Sequence, residues 1–167
     1  MKKIGIITIT YNSAHVIEPF LQCVLQQTHS NFMLYLIDNI SSDTTLEIIK
    51  KYNDSRIILI ANTENVGVAK GNNQGIEKAL KDGCDELLII NNDVEFEDAL
   101  LEKLSNQLAI LKCSLIAPKM MYYPETTLIW WAGTKFNKWD GCMTHHIGIQ
   151  QEDKGQYNSI EKMDYAP

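Results

Sequence analysis

Ile4-Gly5-Ile6-Ile7-Thr8-Ile9 runs without interruption into Thr10-Tyr11-Asn12, and this passage from apolar run to polar turn decides the fold. A short, mostly β-branched run with no polar alternation reads as a strand buried on both faces. The same pattern recurs downstream. Phe32 to Ile37 ends at Asp38-Asn39, Ile57 to Ala61 ends at Asn62, and Leu87 to Ile90 ends at Asn91-Asn92-Asp93. Leu115 to Ala117 predicts a fifth strand. Helical patterns lie between them. Ser13 is placed to cap a helix through about Gln26, with Val16, Phe20 and Val24 at helical spacing. Ser42 and Asp43 can cap a helix carrying Leu46, Ile48 and Ile49. Val66 to Leu80 reads as a helix that Gly83 stops, and Ala99 to Leu111 as another. Strand alternating with helix implies an α/β fold, a Rossmann-like, mostly parallel sheet with helices on both faces.

The rhythm ends at Pro118. Residues 1–118 are therefore expected to form the α/β core, and 119–167 the incomplete start of a second region. There Pro124, Trp130, Trp131, Gly133, Trp139 and Gly141 suggest short strands and loops, and Glu152 to Pro167 is polar and turn-prone.

At 167 residues, 45% hydrophobic and 22% charged, the chain is an ordinary globular sequence able to bury a core. Fifteen Lys and Arg against 21 Asp and Glu leave a net charge of −6, which disfavours nucleic-acid backbones as partners. A single nucleotide remains compatible, because a metal ion can invert the local field. Met1-Lys2-Lys3 is basic, but the apolar run after it is too short for a secretory signal, and no run approaches the ~20 residues of a membrane span. Cys23, Cys84, Cys113 and Cys142 form no CxxC pair, so buried reduced thiols in the cytoplasm are the plain reading.

Open parallel sheets bind ligands beyond the carboxyl ends of their strands. Here those ends carry Thr10, Tyr11, Asn12, Asp38, Asn39, Asn62, Asn91, Asn92 and Asp93. Any one of them is more simply a helix cap or a turn residue. Four such ends on one edge point to a site. The turn after the first strand lacks GxGxxG, and no GxxxxGK[ST] occurs, so a glycine loop on the first helix does not hold phosphate. Asp93 with Asn91 could instead hold Mg2+ or Mn2+ against a diphosphate, since hard cations prefer carboxylate, amide and phosphate oxygens. In Asn65-Val66-Gly67-Val68-Ala69-Lys70-Gly71-Asn72-Asn73-Gln74-Gly75, three glycines stripe one helical face. Each costs up to about 1 kcal/mol in a helix interior, so a close backbone approach, to the sheet or to a ligand, is expected. Lys70 with Asn72 or Asn73 could reach phosphate or base.

Together these segments resemble family 2 glycosyltransferases of the GT-A fold, and most closely their rhamnosyltransferase-like members. The resemblance covers roughly residues 3 to 135. It rests on Thr10-Tyr11-Asn12, on Asp38-Asn39-Ile40-Ser41-Ser42-Asp43, on Asn65, Gly67, Ala69, Gly71, Asn73 and Gly75, and on the turn Asn91-Asn92-Asp93. It implies an inverting enzyme that moves a sugar from a UDP- or dTDP-sugar to an acceptor hydroxyl in cell-surface polysaccharide synthesis. Thr10, Tyr11 and Asn12 would line the nucleoside pocket, and Asp38 with Asn39 would meet the base or ribose. Asn65, Gly67, Gly71 and Asn72 would lie near the nucleotide. Asp93 would ligate the metal, beside Asn91 and Asn92. Asn91 departs from the aspartate often found first in this turn, and a neutral amide attracts a cation less than a carboxylate.

In this family the base is an acid in the second half, after a G-x-x-x-hydrophobic-R segment. The chain reaches Pro167 about where that segment should begin, so the acceptor half and the base are expected to lie outside it. A sugar or lipid-linked acceptor would bring the cytoplasmic protein to the inner membrane face as a peripheral partner. Asp140 sits upstream of the expected base. His145-His146 reads as a solvated pair. Trp130, Trp131 and Trp139 suit sugar stacking or subdomain packing, and if uncovered they invite a homodimer. Two other functions fit the layout: a non-catalytic nucleotide-binding module, and a nucleotidyltransferase, against which the absence of a glycine-rich basic loop after the first strand counts.

Overall fold

The apolar runs 4–9 and 32–37 become the interior of a parallel sheet, whereas in the run 87–90, also expected to be buried, Leu87 is 37% and Ile89 54% exposed. In the computed structural model, which describes residues 1–137, 139 and 141–166, the elements in chain order are β1 (Ile4–Thr10), α1 (Ile17–Leu25), β2 (Phe32–Asp38), α2 (Thr45–Lys51), β3 (Ile57–Ala61), α3 (Gly67–Lys81), β4 (Glu86–Ile89) and α4 (Leu100–Leu111). The strands form one sheet in the order β3-β2-β1-β4. All three pairings are parallel, with Thr10 beside Asp38 and Asp38 beside Ala61. The carboxyl ends of β1, β2 and β3 thus come out on one edge.

Each face of the sheet has its own core. Ile4, Ile6, Phe32, Leu34 and Leu36 pack with Ile17, Phe20, Leu21 and Val24 of α1, Ile49 of α2 and Leu101 of α4. Ile7, Tyr35 and Ile37 point the other way and pack with Ala79 of α3 and with Cys84. Period-2 geometry sorts the even and odd residues of β1 and β2 into these two clusters, so the helices cover both faces as expected.

The second face explains two of the three glycines in the stripe, Gly71 and Gly75, while Gly67 is exposed with nothing within 4 Å of a would-be Cβ and takes φ 76°. A Cβ on Gly75 would lie 2.5 Å from Ile7 Cγ2 and 2.8 Å from Ile37 Cδ1, and one on Gly71 would lie 3.0 Å from Ile9 Cδ1. The close approach is made to the sheet.

Three local expectations need correction. Leu115 to Ala117 forms no strand, and Leu115 is 74% exposed. The run is too short to bury itself, and Pro118 supplies no N–H for a ladder. Ser13 does not cap α1 with its side chain: the helix begins at Ile17 after Val16, and the Ser13 hydroxyl instead accepts from Tyr11 N–H and Asn92 Nδ2. The cysteines are not all buried, since Cys113 and Cys142 are exposed.

By its contacts the chain divides into Met1–Asn106 and Gln107–Pro167. Among its described residues the second unit contains two short antiparallel strand pairs. β5 (Met120–Met121) pairs with β6 (Ile129–Trp131), and β7 (Thr134–Asn137) with β8 (Met143–His146). Trp131 is buried and donates from Nε1 to Thr134 Oγ1 at 2.7 Å. Trp139 is 98% exposed, and His145 and His146 lie on an exposed strand. Asp140 lies outside the described residues.

Two substitutions should have opposite signs. Gly75→Ala forces the helix off the sheet and should destabilise by about 1–3 kcal/mol. Thr8 Oγ1 is buried with no hydrogen-bond partner among the described residues, so Thr8→Val should be neutral or stabilise by up to about 1 kcal/mol. Urea denaturation of the two variants checks both, and a stabilised Gly75→Ala would contradict the packing.

Candidate functional site at the carboxyl edge of the sheet

Asp38 ends β2 with its side chain wholly buried. A buried carboxylate must be satisfied by donors, and this one is. Oδ1 accepts from the hydroxyls of Thr10 at 2.8 Å and Ser41 at 2.5 Å, and Oδ2 accepts from the Ser41 amide at 2.9 Å. These bonds fold the segment after β2 back over the end of β1. Asn12 N–H donates to Ser41 Oγ, and Asn12 Oδ1 accepts from Ser42 N–H at 2.8 Å and Ser42 Oγ at 3.3 Å. Both turns use left-handed backbone, at Asn12 (φ 51°) and Ile40 (φ 61°).

A second layer of the network is made of carboxamides. Asn39, 2% exposed, accepts at Oδ1 from Asn62 Nδ2 at 3.0 Å. Asn62 and Gln74 exchange two further bonds, each 3.0 Å. Asn39 Nδ2 reaches the Gly67 carbonyl at 3.4 Å. The ends of β2 and β3 are thereby tied to the start of α3. Gly67 takes φ 76°, its N–H donates to Asn65 Oδ1, and Val66 before it makes no side-chain cap bond. Val68, Ala69 and Lys70 are exposed in that first turn, whereas Gly71 is buried against the sheet and Asn72 is half-buried.

The turn after β4 is held from within. Ile90 N–H donates to the Ile7 carbonyl, and Asn92 Nδ2 donates to Ile9 O and Ser13 Oγ, both at 2.9 Å. Downstream, Gln27 bonds the Glu97 carbonyl and the Leu101 amide, and Phe20 meets Phe96 edge to face. With Asn92 turned inward, Asn91 and Asp93 on either side are exposed. Among the described residues no hydrogen bond engages the Asp93 carboxylate, and no group of three or more His, Cys, Asp or Glu is gathered. One carboxylate and one carboxamide form a sparse donor set. Such a set would suit only a cation that keeps waters and takes further oxygens from a phosphate ligand, as Mg2+ characteristically does.

Thr10, Tyr11, Asn12, Asp38, Asn39, Asn65, Gly67, Asn91, Asn92 and Asp93 thus lie on the polar edge. The sequence placed Asn62 at a strand end without a role and did not single out Ser41, Gln74 or Ile40. The spacing D-N-x-S contains Ser41, but the carboxamide pairing of Asn62 with Gln74 has no local signature.

These features define an open, parallel α/β domain with its polar groups collected at the strand ends. Residues 5–163 match the family model described as Glycosyl transferase family 2, and the chain belongs to that family. WfgD of Escherichia coli, a UDP-Glc:alpha-D-GlcNAc-diphosphoundecaprenol beta-1,3-glucosyltransferase, is 36% identical over 76 residues, which is 46% of this chain and 30% of that one. TuaG of Bacillus subtilis (strain 168), a glycosyltransferase named for teichuronic acid biosynthesis, is 33% identical over 78 residues, 46% of this chain and 31% of that one. The matched stretch spans about a third of the length of these relatives. Among solved structures, S. aureus TarS 1-349 in complex with UDP superposes with a TM-score of 0.58 at 20% identity, covering 72% of this chain and 39% of that one. Mannosyltransferase PcManGT from Pyrobaculum calidifontis, in complex with GDP-Man and Mn2+, gives 0.56 at 22% identity, covering 72% and 34%. The likeness is one of fold, the GT-A arrangement.

Asp43 supports the site from outside. Its Oδ1 accepts from the Thr45 hydroxyl and amide, its Oδ2 from the Ala14 amide, and Thr45 Oγ1 in turn accepts from Ser13 N–H. Desolvation pushes the Asp43 carboxyl up, but these hydrogen bonds outweigh it and hold the group below the usual carboxylate range. A lowered folded pKa stabilises the fold above the unfolded value of about 4 and is lost as pH falls through the lower folded value. Asp54, paired with Arg56, and Asp82, paired with Lys78, act in the same direction. The urea midpoint should therefore hold from about pH 7 to 5 and fall below about pH 4. Asp43→Asn should lower it at neutral pH and flatten part of the acid decline. An acid decline unchanged in Asp43→Asn would contradict this account.

Proposed function

We propose that this chain carries the donor-binding part of a glycosyltransferase that moves a sugar from a nucleoside diphosphate to an acceptor hydroxyl, with inversion, in cell-surface polysaccharide synthesis. The observation that carries the reading is the arrangement of the carboxyl edge. Asp38, Asn39 and Asn92 are spent on scaffolding, while Asn91, Asp93 and Val68, Ala69 and Lys70 of the first turn of α3 are left exposed. Membership of the family supports it, as do the relatives named for polysaccharide and lipid-linked glucosyl transfer. The donor is a UDP- or dTDP-sugar, and the acceptor a sugar or lipid-linked sugar met at the cytoplasmic face of the membrane. Among the described residues no helix is long and apolar enough to cross a membrane.

The reaction asks three things of these residues. The nucleoside must be held, and the left-handed turns at Asn12 and Ile40 present backbone and side chains beyond β1 and β2 for that purpose. The diphosphate must be oriented, and the first turn of α3 offers amides with a favourable dipole. Negative charge must be offset as the bond from the anomeric carbon to the diphosphate oxygen breaks and the acceptor oxygen bonds that carbon from the opposite side. A Mg2+ or Mn2+ ion held by Asp93 and Asn91 would supply that charge when bound. The electron pair leaves with the diphosphate, and the hydroxyl proton passes to a base that is none of the residues assigned here.

Asp93→Ala should abolish the Mn2+-dependent part of UDP or dTDP binding and leave the folding midpoint within about 0.5 kcal/mol of the parent, as expected of an exposed side chain. Titration calorimetry with and without Mn2+ reads this directly. Equal Mn2+-dependent affinity in the parent and in Asp93→Ala would refute the metal assignment.

A further inference from the structure

We propose that Ile40 is a specificity-determining contact of the nucleoside site, an apolar wall against the base of the bound nucleoside diphosphate. The proposal rests on the donor-binding reading above. Ile40 takes φ 61°, a left-handed conformation that glycine or asparagine adopts readily and a β-branched residue does not. The strain is imposed from both sides. Asn39 before it is fixed by its N–H to Thr10 O and its side chain to Asn62, and Ser41 after it is fixed to Asp38 through both amide and hydroxyl.

Burial does not account for the choice of isoleucine, because the side chain is 48% exposed. A strained, half-exposed apolar side chain at a ligand-binding edge is better explained by what it touches than by the fold. Its setting indicates the partner. The Thr10 hydroxyl, both Asp38 oxygens, the Ser41 hydroxyl and Asn39 Oδ1 are already engaged within the protein. At the neighbouring strand end Tyr11 is 54% exposed. With those groups engaged, what Ile40 adds to this corner is exposed apolar surface, which suits the face or edge of a pyrimidine ring.

Removing the side chain should therefore raise stability and lower affinity together. Ile40→Gly and Ile40→Asn, compared with Ile40→Leu, separate strain from contact. Thermal unfolding is followed without ligand, and calorimetry with Mn2+ uses UDP and, as a probe without a base, inorganic pyrophosphate. We expect Tm to rise in the Gly and Asn variants by about 2–4 °C. Their UDP affinity should fall about five- to tenfold while that for pyrophosphate is unchanged, and the Leu variant should stay within about twofold of the parent. Unchanged UDP affinity in Gly and Asn, a parallel loss of pyrophosphate affinity, or a lowered Tm would each overturn the proposal. Failure of the parent protein itself to bind UDP or dTDP is a separate result, and it would remove the donor-binding reading along with this one.

Discussion

The buried Asp38 carboxylate is the group on which the rest of the edge depends. Taking a carboxylate out of water costs several kcal/mol unless donors replace the lost hydration. Two hydroxyls and one amide do so here, from Thr10 and from Ser41. Because Thr10 belongs to β1 and Ser41 follows β2, one satisfied charge ties two strand ends together and makes the following segment turn back sharply. The left-handed residues at Asn12 and Ile40 are consequences of that closure. So is the position of Ser41 Oγ, which receives the Asn12 amide.

A division of labour follows among residues that look alike in the sequence. Internally bonded amides and acids build the platform: Asn39 with Asn62 and Gln74, Asn92 with Ile9 and Ser13, and, at the surface, Asp43 with Thr45. Outward-facing groups remain free to meet a ligand, among them Tyr11, Ile40, Asn91 and Asp93. Satisfying the first set internally lets the outward set be held without a ligand to order it, which is the preorganisation a binding site needs.

The strands and helices of the first unit were legible because unbroken apolar runs and helical spacing are local signals. The parallel direction of the strands and the edge on which their ends meet followed from their alternation, but the order β3-β2-β1-β4 did not. Local pattern failed where a distant partner decides. Ser13 looks like a helix cap, but its hydroxyl is claimed by Asn92, 79 residues away. Leu115 to Ala117 looks like a strand but is short, exposed and followed by Pro118. The glycine spacing predicted a close approach without saying to what, and Ile7, Ile9 and Ile37 supply the answer. For the site, the residue types at the strand ends were readable, but which of them turn inward was not. Nor was the role of Asn62 and Gln74, whose pairing depends on how α3 lies against β2 and β3.

The central claim is that a nucleoside diphosphate and its cation meet at the carboxyl edge of this sheet. Amide NMR of the protein during a titration with UDP, first with Mg2+ and then with Mn2+, tests it most directly. Shift changes are expected at Thr10–Asn12, Asp38–Ser41 and the start of α3, with paramagnetic broadening by Mn2+ centred on Asn91 to Asp93. Broadening centred on the opposite edge, near Lys3, Asp82 and Asp85, or shifts that leave the strand ends unmoved, would contradict it.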